Sequence, residues 1–228
     1  MLKQKIHKYR LYTFNNGYFD ILKEIVKKNY EVLEYYKDDQ RTYVVKIKVN
    51  NNIYILKKYY PRTLIKKIKQ SLKKTESLQT LENVHVARQA GIFELAPCIG
   101  AIEEKKGFFI TNQILIMKFC KGRRPVSEND YNKIIDVLLK INRIGRYHGD
   151  CNPGNFIFDE NNNLKVIDTK VSKMFFGNYR QYFDFMVLKK YLPNNCNIDF
   201  LNKNIFYYFA YVVRKIRDFK NNENRGRG

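Results

Sequence analysis

Cysteine, acid and long apolar runs are the scarce features of this chain. The four cysteines, Cys98, Cys120, Cys151 and Cys196, are scattered without CxxC spacing. That pattern supports neither a zinc site nor a disulfide framework, and it suits a reducing compartment. No stretch approaches the roughly 20 apolar residues that span a bilayer. The first residues, Met1-Leu-Lys-Gln-Lys-Ile-His-Lys, lead into Tyr9-Arg-Leu-Tyr without an apolar core, so the expectation is a cytoplasmic, unsecreted protein. No internal repeat is present. Acids number only 22 against 43 Lys and Arg, a formal charge of +21.

With 44% apolar residues over 228 positions, the chain has enough material for a packed core. The length suits one domain of two lobes, or two small domains. The excess of positive charge points to an anionic partner or surface: nucleic acid, an acidic membrane face, or a phosphorylated or carboxylated substrate. Charge alone does not choose among them, and abundant Lys, Asn, Ile and Tyr also follow from biased genome composition.

The N-terminal part reads as strands. Residues 30–36, 42–49 and 53–60 are rich in β-branched and aromatic residues, and they are separated by Lys37-Asp-Asp-Gln and Asn50-Asn-Asn. They predict an antiparallel meander. Residues 12–28 before it predict a helix through Phe19, Leu22, Ile25 and Val26. After Pro61 a single helix is expected over 63–89, with Lys66, Lys67, Lys69, Lys73 and Lys74 crowded into its first half and Gly91 as its stop. Two or three further strands follow, around 97–102, 107–110 and 114–119. Lys121-Gly-Arg-Arg-Pro125 breaks the pattern and is read as a hinge. Ser127 opens a helix over 131–144 that buries Ile134, Ile135, Leu138, Leu139 and Ile141. A loop over 147–155, short strands at 156–158 and 164–167, and helices near 179–191 and 200–219 complete the reading. The expected division is an N-lobe over 1–120, a C-lobe over 121–220 and a flexible polar tail over 221–228.

The chemistry concentrates in Tyr147-His148-Gly149-Asp150-Cys-Asn-Pro-Gly-Asn155-Phe-Ile-Phe, followed by Lys165-Val-Ile-Asp168-Thr. A loop presents a carboxylate at Asp150 and an amide at Asn155, and a hairpin then carries a second carboxylate to Asp168. Two carboxylates and an amide form an all-oxygen set suited to Mg²⁺. Phosphoryl transfer needs little more than such a set and a group that orients the acceptor hydroxyl.

His148-Gly149-Asp150-x-x-x-x-Asn155 resembles the catalytic loop of the protein-kinase-like superfamily, in the form found among kinases of small molecules and glycolipids. Ile167-Asp168-Thr169 stands where that superfamily has its metal-binding turn. Tyr54-Ile-Leu-Lys57 resembles its strand bearing the nucleotide-contacting Lys. These motifs together with Gly154-Asn155-Phe156-Ile157, Lys57-Lys-Tyr-Tyr-Pro61, and Ile116-Met117 before Gly122 resemble the lipopolysaccharide core heptose(II) kinase family (RfaY/WaaY type), over most of residues 30–190. The resemblance implies an α+β, two-lobed protein-kinase-like fold, with an antiparallel-sheet N-lobe and a mainly helical C-lobe. It implies an ATP- and Mg²⁺-dependent enzyme that phosphorylates a heptose on a lipid-anchored core oligosaccharide, peripheral at the cytoplasmic face of the inner membrane.

By the same resemblance Asp150 orients the sugar hydroxyl, Asn155 and Asp168 hold Mg²⁺, and Lys57 contacts the phosphates. A helix acid would pair with Lys57, and the candidates are Glu76 and Glu82. At about 100° per residue, Ala87, Val84 and Leu81 lie near 20°, 80° and 140° from Glu76, whereas Glu82 lies near 240°. Glu76 is therefore the expected partner. Two departures stand out. The first turn, Tyr36-Lys-Asp-Asp-Gln-Arg41, has no Gly, and no activation-segment motif follows Asp168, which disfavours protein substrates. The readings left open are another small-molecule phosphotransferase of the same fold and a non-catalytic, basic nucleic-acid-binding protein, although no RNA- or DNA-binding module is recognisable.

Overall fold

The computed structural model describes residues 1–61, 63, 68, 71–193 and 203–225. The fold is α+β, and the chain divides into two compact units, Met1–Cys120 and Lys121–Gly228.

The first unit is built on a seven-stranded antiparallel sheet. Its strands are β1 (Leu2–Ile6), β2 (Tyr9–Thr13), β3 (Glu31–Asp38), β4 (Thr42–Val49), β5 (Asn52–Tyr59), β6 (Cys98–Lys106) and β7 (Phe109–Lys118), in the order β1-β2-β6-β7-β5-β4-β3. The expected meander is therefore one end of a larger sheet. Val49 pairs with Asn52 across a two-residue turn in which Asn50 and Asn51 both have positive φ, 47° and 64°. That is the geometry whose twist matches an antiparallel hairpin, and asparagine tolerates it better than other residues with side chains.

Side chains alternate across this sheet, so each face has its own core. Helix α1 (Phe19–Val26) sets Leu22 and Ile25 against Val45, Ile47, Leu56 and Ile116 on one face. Helix α2 (Glu76–Gln89) sets Leu78 and Leu81 against Tyr59, Ala101 and Leu115 on the other. Each such aliphatic side chain contributes roughly 1.5–3 kcal/mol on burial.

The structure corrects two expectations in this unit. Residues 12 and 13 end β2 rather than begin a helix: the Thr13 hydroxyl donates to the Ile99 carbonyl at 2.7 Å and binds the segment to β6. The single helix over 63–89 is also interrupted. Chain at Lys73, Lys74 and Thr75 is not helical, and Thr75, extended at ψ 161°, caps α2 by accepting from the Leu78 N–H. Lys66, Lys67 and Lys69 lie outside the described residues. Of the two or three strands expected over 97–119 the structure has two, β6 and β7, with the segments near 107–110 and 114–119 joined in β7.

The second unit opens with helix α3 (Glu128–Arg143). Its start is fixed by a capping box between Ser127 and Asp130, and Asp130 also takes both guanidinium nitrogens of Arg123, at 2.7 and 3.0 Å. Leu139 is only half-buried, and Val137 takes an inward place beside Ile134, Ile135, Leu138 and Ile141. Two small sheets follow: β8 (Arg146–Tyr147) pairs with β11 (Ser172–Lys173), and β9 (Phe156–Phe158) pairs with β10 (Leu164–Val166). Helices α4 (Tyr179–Leu188) and α5 (Ile205–Arg225) pack through Tyr182, Phe183, Met186 and Ala210. Helix α5 continues through residues 221–225, which the sequence assigned to a frayed tail. Neither Gly nor Pro interrupts it before Gly226.

Gly122 lies against β9. A Cβ there would stand 2.2 Å from the Phe158 carbonyl oxygen, beside the Arg123–Phe158 bridge. Backbone cannot yield as a flexible side chain does. Gly122→Ala is expected to lower stability by roughly 2–3 kcal/mol, read from the urea midpoint at unchanged slope.

Candidate active site

The loop between β8 and β9 is held from beneath. The backbone N–H groups of His148 and Gly149 both donate to the Asp184 carboxylate, at 2.7 and 3.1 Å. Gly149 adopts φ 92°, which lets consecutive N–H groups turn to the same acceptor. Asp184 sits on α4 between Phe183 and Phe185, and all three are buried. Burial pushes its carboxyl up to about 7, against the downward pull of the two N–H donors.

The next turn builds on that anchor. The Asp150 N–H donates to His148 Nδ1 at 3.2 Å, and the exposed Asp150 side chain projects from the loop. Asn152 Oδ1 accepts from the Gly154 N–H and shapes the 3-10 turn Pro153–Asn155. Asn155 Nδ2 donates to the Asp150 carbonyl at 2.9 Å, and the Asn155 carbonyl accepts from the Ile167 N–H at 2.8 Å. The Thr169 hydroxyl donates to the His148 carbonyl at 3.1 Å. These bonds bring Asp150, Asn155 and Asp168 into one loop cluster. Asp168 and Val171 both have positive φ, 51° and 41°. Such conformations cost about 1–3 kcal/mol each and concentrate at functional sites.

His148 is a positioning group. Its Nδ1 is an acceptor, so the ring proton belongs on Nε2, which is buried and has no hydrogen-bond partner among the described residues. Burial holds its pKa down at about 4, only partly offset by the Asp168 charge. The imidazole is neutral at physiological pH, with its one acceptor already used.

Among the described residues no three Asp, Glu, His or Cys side chains gather as a metal site. The candidate ligands are one amide and one carboxylate. With Nδ2 of Asn155 engaged by Asp150, its Oδ1 is the atom left to serve a cation. A carbonyl oxygen and a carboxylate fit Mg²⁺, which completes its shell with water and phosphate oxygens.

In the first unit, Lys57 occupies the α2 face of β5, in register with Ile55 and Tyr59. It is half-buried, with Nζ 5.5 Å from the Tyr59 ring. Both Glu82 oxygens are bound by Lys74, at 2.8 and 2.7 Å, so this acid is committed to its own neighbour. Glu76 is the first residue of α2 and half-buried. The turn without glycine is stapled by Asp39, which accepts the N–H groups of Arg41 and Thr42 at 2.7 Å each. Those bonds hold its carboxyl well below the usual range.

The sequence reading missed two buried carboxylates. One is Asp184. The other is Glu103 on β6, which takes the Tyr12 hydroxyl at 2.9 Å and the Thr75 hydroxyl at 2.8 Å and so ties the start of α2 to the sheet. Asp184 stands alone in an apolar segment, Phe183-Asp-Phe-Met, and a lone acid in such a run is a signal, because an unbonded carboxylate is too costly to bury. Glu103 ends the run Ile99-Gly-Ala-Ile and is followed by Glu104-Lys-Lys, so its sequence carries no such signal.

The two buried titrating groups have opposite pH signatures. His148 has a folded pKa of about 4, below the ordinary 6.5, so its contribution to stability is present at neutral pH and lost as pH falls through that window. Asp184 is raised from 3.8 to about 7, so its contribution is present in acid and fades as pH rises. Over roughly pH 4 to 6.5 the two slopes oppose each other. Asp184→Asn should unmask the His148 slope, with stability rising with pH by up to about 1.4 kcal/mol per unit. His148→Gln should show stability falling with pH instead. Urea midpoints measured from pH 4 to 7.5 check both, and identical profiles for the two variants would refute the assignment.

The sequence matches, over residues 1–225, the family described as lipopolysaccharide core biosynthesis protein (WaaY). A match over nearly the whole length means that the chain belongs to the WaaY family of lipopolysaccharide core biosynthesis proteins.

Proposed function

We propose that this WaaY-family chain is an ATP-dependent kinase with the two-lobed protein-kinase-like architecture, and that it transfers the γ-phosphate of ATP to a hydroxyl of an inner-core heptose. The observation that supports this best is the loop His148–Asn155, in which Asp150 is exposed while the backbone around it is fixed by Asp184, Asn155 and Thr169. A carboxylate on a rigid loop suits a group that must meet one hydroxyl in one orientation.

In the proposed reaction Asp150 accepts a hydrogen bond from the sugar hydroxyl and takes its proton as the new O–P bond forms. The bond between the γ-phosphorus and the β–γ bridging oxygen breaks, and ADP leaves. Bound Mg²⁺ supplies charge neutralisation at the phosphates. Asn155 Oδ1 and the Asp168 carboxylate are the residues that would hold it. Lys57 is assigned to the α- and β-phosphates, and Glu76 to Lys57, because Glu82 is occupied by Lys74. His148 keeps the Asp150 backbone in place and moves no proton.

The acceptor is proposed to be lipid-anchored core oligosaccharide, met at the inner face of the inner membrane, where a net charge of +21 favours anionic lipid. Among the described residues no helix is long and apolar enough to cross a membrane.

Asp150→Ala is expected to lower kcat by about 10²–10⁴-fold while ATP affinity stays within about twofold, measured as transfer of labelled phosphate to lipid-free core oligosaccharide. Near-normal turnover would remove Asp150 from the chemistry. Asp168→Asn is expected to weaken Mg·ATP binding by roughly tenfold or more in calorimetry, with little effect on nucleotide binding without metal.

A further inference from the structure

Helix α5 buries one side and leaves a second apolar side in water. Phe206, Tyr207, Ala210 and Val213 face α4. At about 100° per residue, Ile205, Tyr208, Phe209, Val212, Ile216 and Phe219 fall within roughly 100° of one another on a different side. All six are exposed, from 43% at Phe209 to 77% at Ile205. The stripe continues onto the preceding loop: the Phe176 ring lies 5.5 Å from that of Phe209, and its neighbour Phe175 is 92% exposed.

Charge indicates what covers this surface. From Ile205 to Phe219 the only acid is Asp218, and it is held by Arg214 and Lys190. Lys203 lies just before the helix, Lys215 on the flank of the stripe and Lys173 just before the Phe175 loop, and all three are exposed. An apolar stripe with Lys215 on its flank, and with Lys203 and Lys173 on the adjoining segments, is the pattern of an element lying in a headgroup layer, with rings in the acyl boundary and ammonium groups at phosphate level. A single-stranded nucleic acid would use the lysines and stack bases on the rings, but it would leave the aliphatic Ile205, Val212 and Ile216 wet.

We infer that the exposed face of α5, extended by Phe175 and Phe176, docks the protein onto an anionic lipid bilayer as an interfacial helix that does not span it. The choice of partner rests on the proposed membrane-bound acceptor. The residues named are separate from Asp150, Asn155 and Asp168.

The test is flotation of the full chain with vesicles of phosphatidylethanolamine and phosphatidylglycerol, compared with phosphatidylcholine alone. The wild type should partition at least tenfold more strongly onto the anionic vesicles. The triple variant Phe209→Ser, Val212→Ser, Ile216→Ser should lose at least tenfold of that partition. Lys203→Gln with Lys215→Gln should lose a smaller part, and only at low salt. Circular dichroism confirms that α5 persists, and Phe175→Ser, which touches no core, should weaken partition several-fold even if the triple variant misfolds. Three results would overturn the inference: no vesicle binding by the wild type, equal binding by wild type and Phe175→Ser, or a wild-type dimer that the triple variant converts to monomer without change in vesicle binding. Phosphate transfer to lipid-free core oligosaccharide is scored in parallel. Its failure would count against the kinase reading and leave the vesicle result standing.

Discussion

A single buried carboxylate decides whether the loop at 148–155 has a shape at all. Asp184 is enclosed by α4 aromatics, and the polar donors that meet it include the N–H groups of His148 and Gly149. If the loop moved away, a buried acid would be stranded and two backbone donors would lose their acceptor, a penalty of several kcal/mol. The loop is therefore tied to α4, and α4 in turn packs on α5. Asp150 inherits this order through its own N–H bond to His148, and Asn155 through its bond to the Asp150 carbonyl.

The first unit uses the same device for a different purpose. Glu103 is buried on the α2 face, where it binds Tyr12 and Thr75, and the neighbouring Gln113 accepts from the Ser77 N–H. These bonds fix where α2 begins, which in turn fixes where Glu76 stands. Asp184 holds loop backbone, and Glu103 holds the Thr75 cap together with the Tyr12 hydroxyl. Both lie far in sequence from what they hold: Asp184 is 36 residues from His148, and Glu103 is 28 from Thr75.

That separation explains what could be read from the sequence. Features written locally were legible. The Asn50-Asn51 turn, the Ser127 cap of α3, strand β9 and the Asp150–Asn155 loop each depend on residues within a few positions of one another, and Asp168 follows after one short hairpin. Long-range features were not. Residues 63–89 read as one helix because helical pattern runs on through Lys73 and Lys74, and the break at Thr75 is made by a bond to Glu103. The β1–β2 hairpin, with Lys3 and Lys5 on an edge strand, carries little apolar alternation of its own, and its position comes from pairing with β6. Asp184 could have been suspected from its apolar neighbours, but nothing within α4 says that its partners lie in the loop at 148.

Net charge was the other feature that composition alone left ambiguous. A charge of +21 is compatible with nucleic acid, lipid or an acidic saccharide, because each presents phosphate or carboxylate at similar density. The distribution of apolar surface separates them. Bases and sugar rings stack on exposed aromatics, but a polyanion in water gives no cover to Ile205, Val212 and Ile216, and an open apolar stripe carries an aggregation risk. A protein that meets a bilayer needs both features on one element, since lysines alone give weak, salt-sensitive adhesion and apolar rings alone give no preference for an anionic leaflet. On α5 the apolar stripe has Lys215 on its flank, and Lys203 and Lys173 stand on the adjoining segments, which is the basis of the proposed bilayer contact.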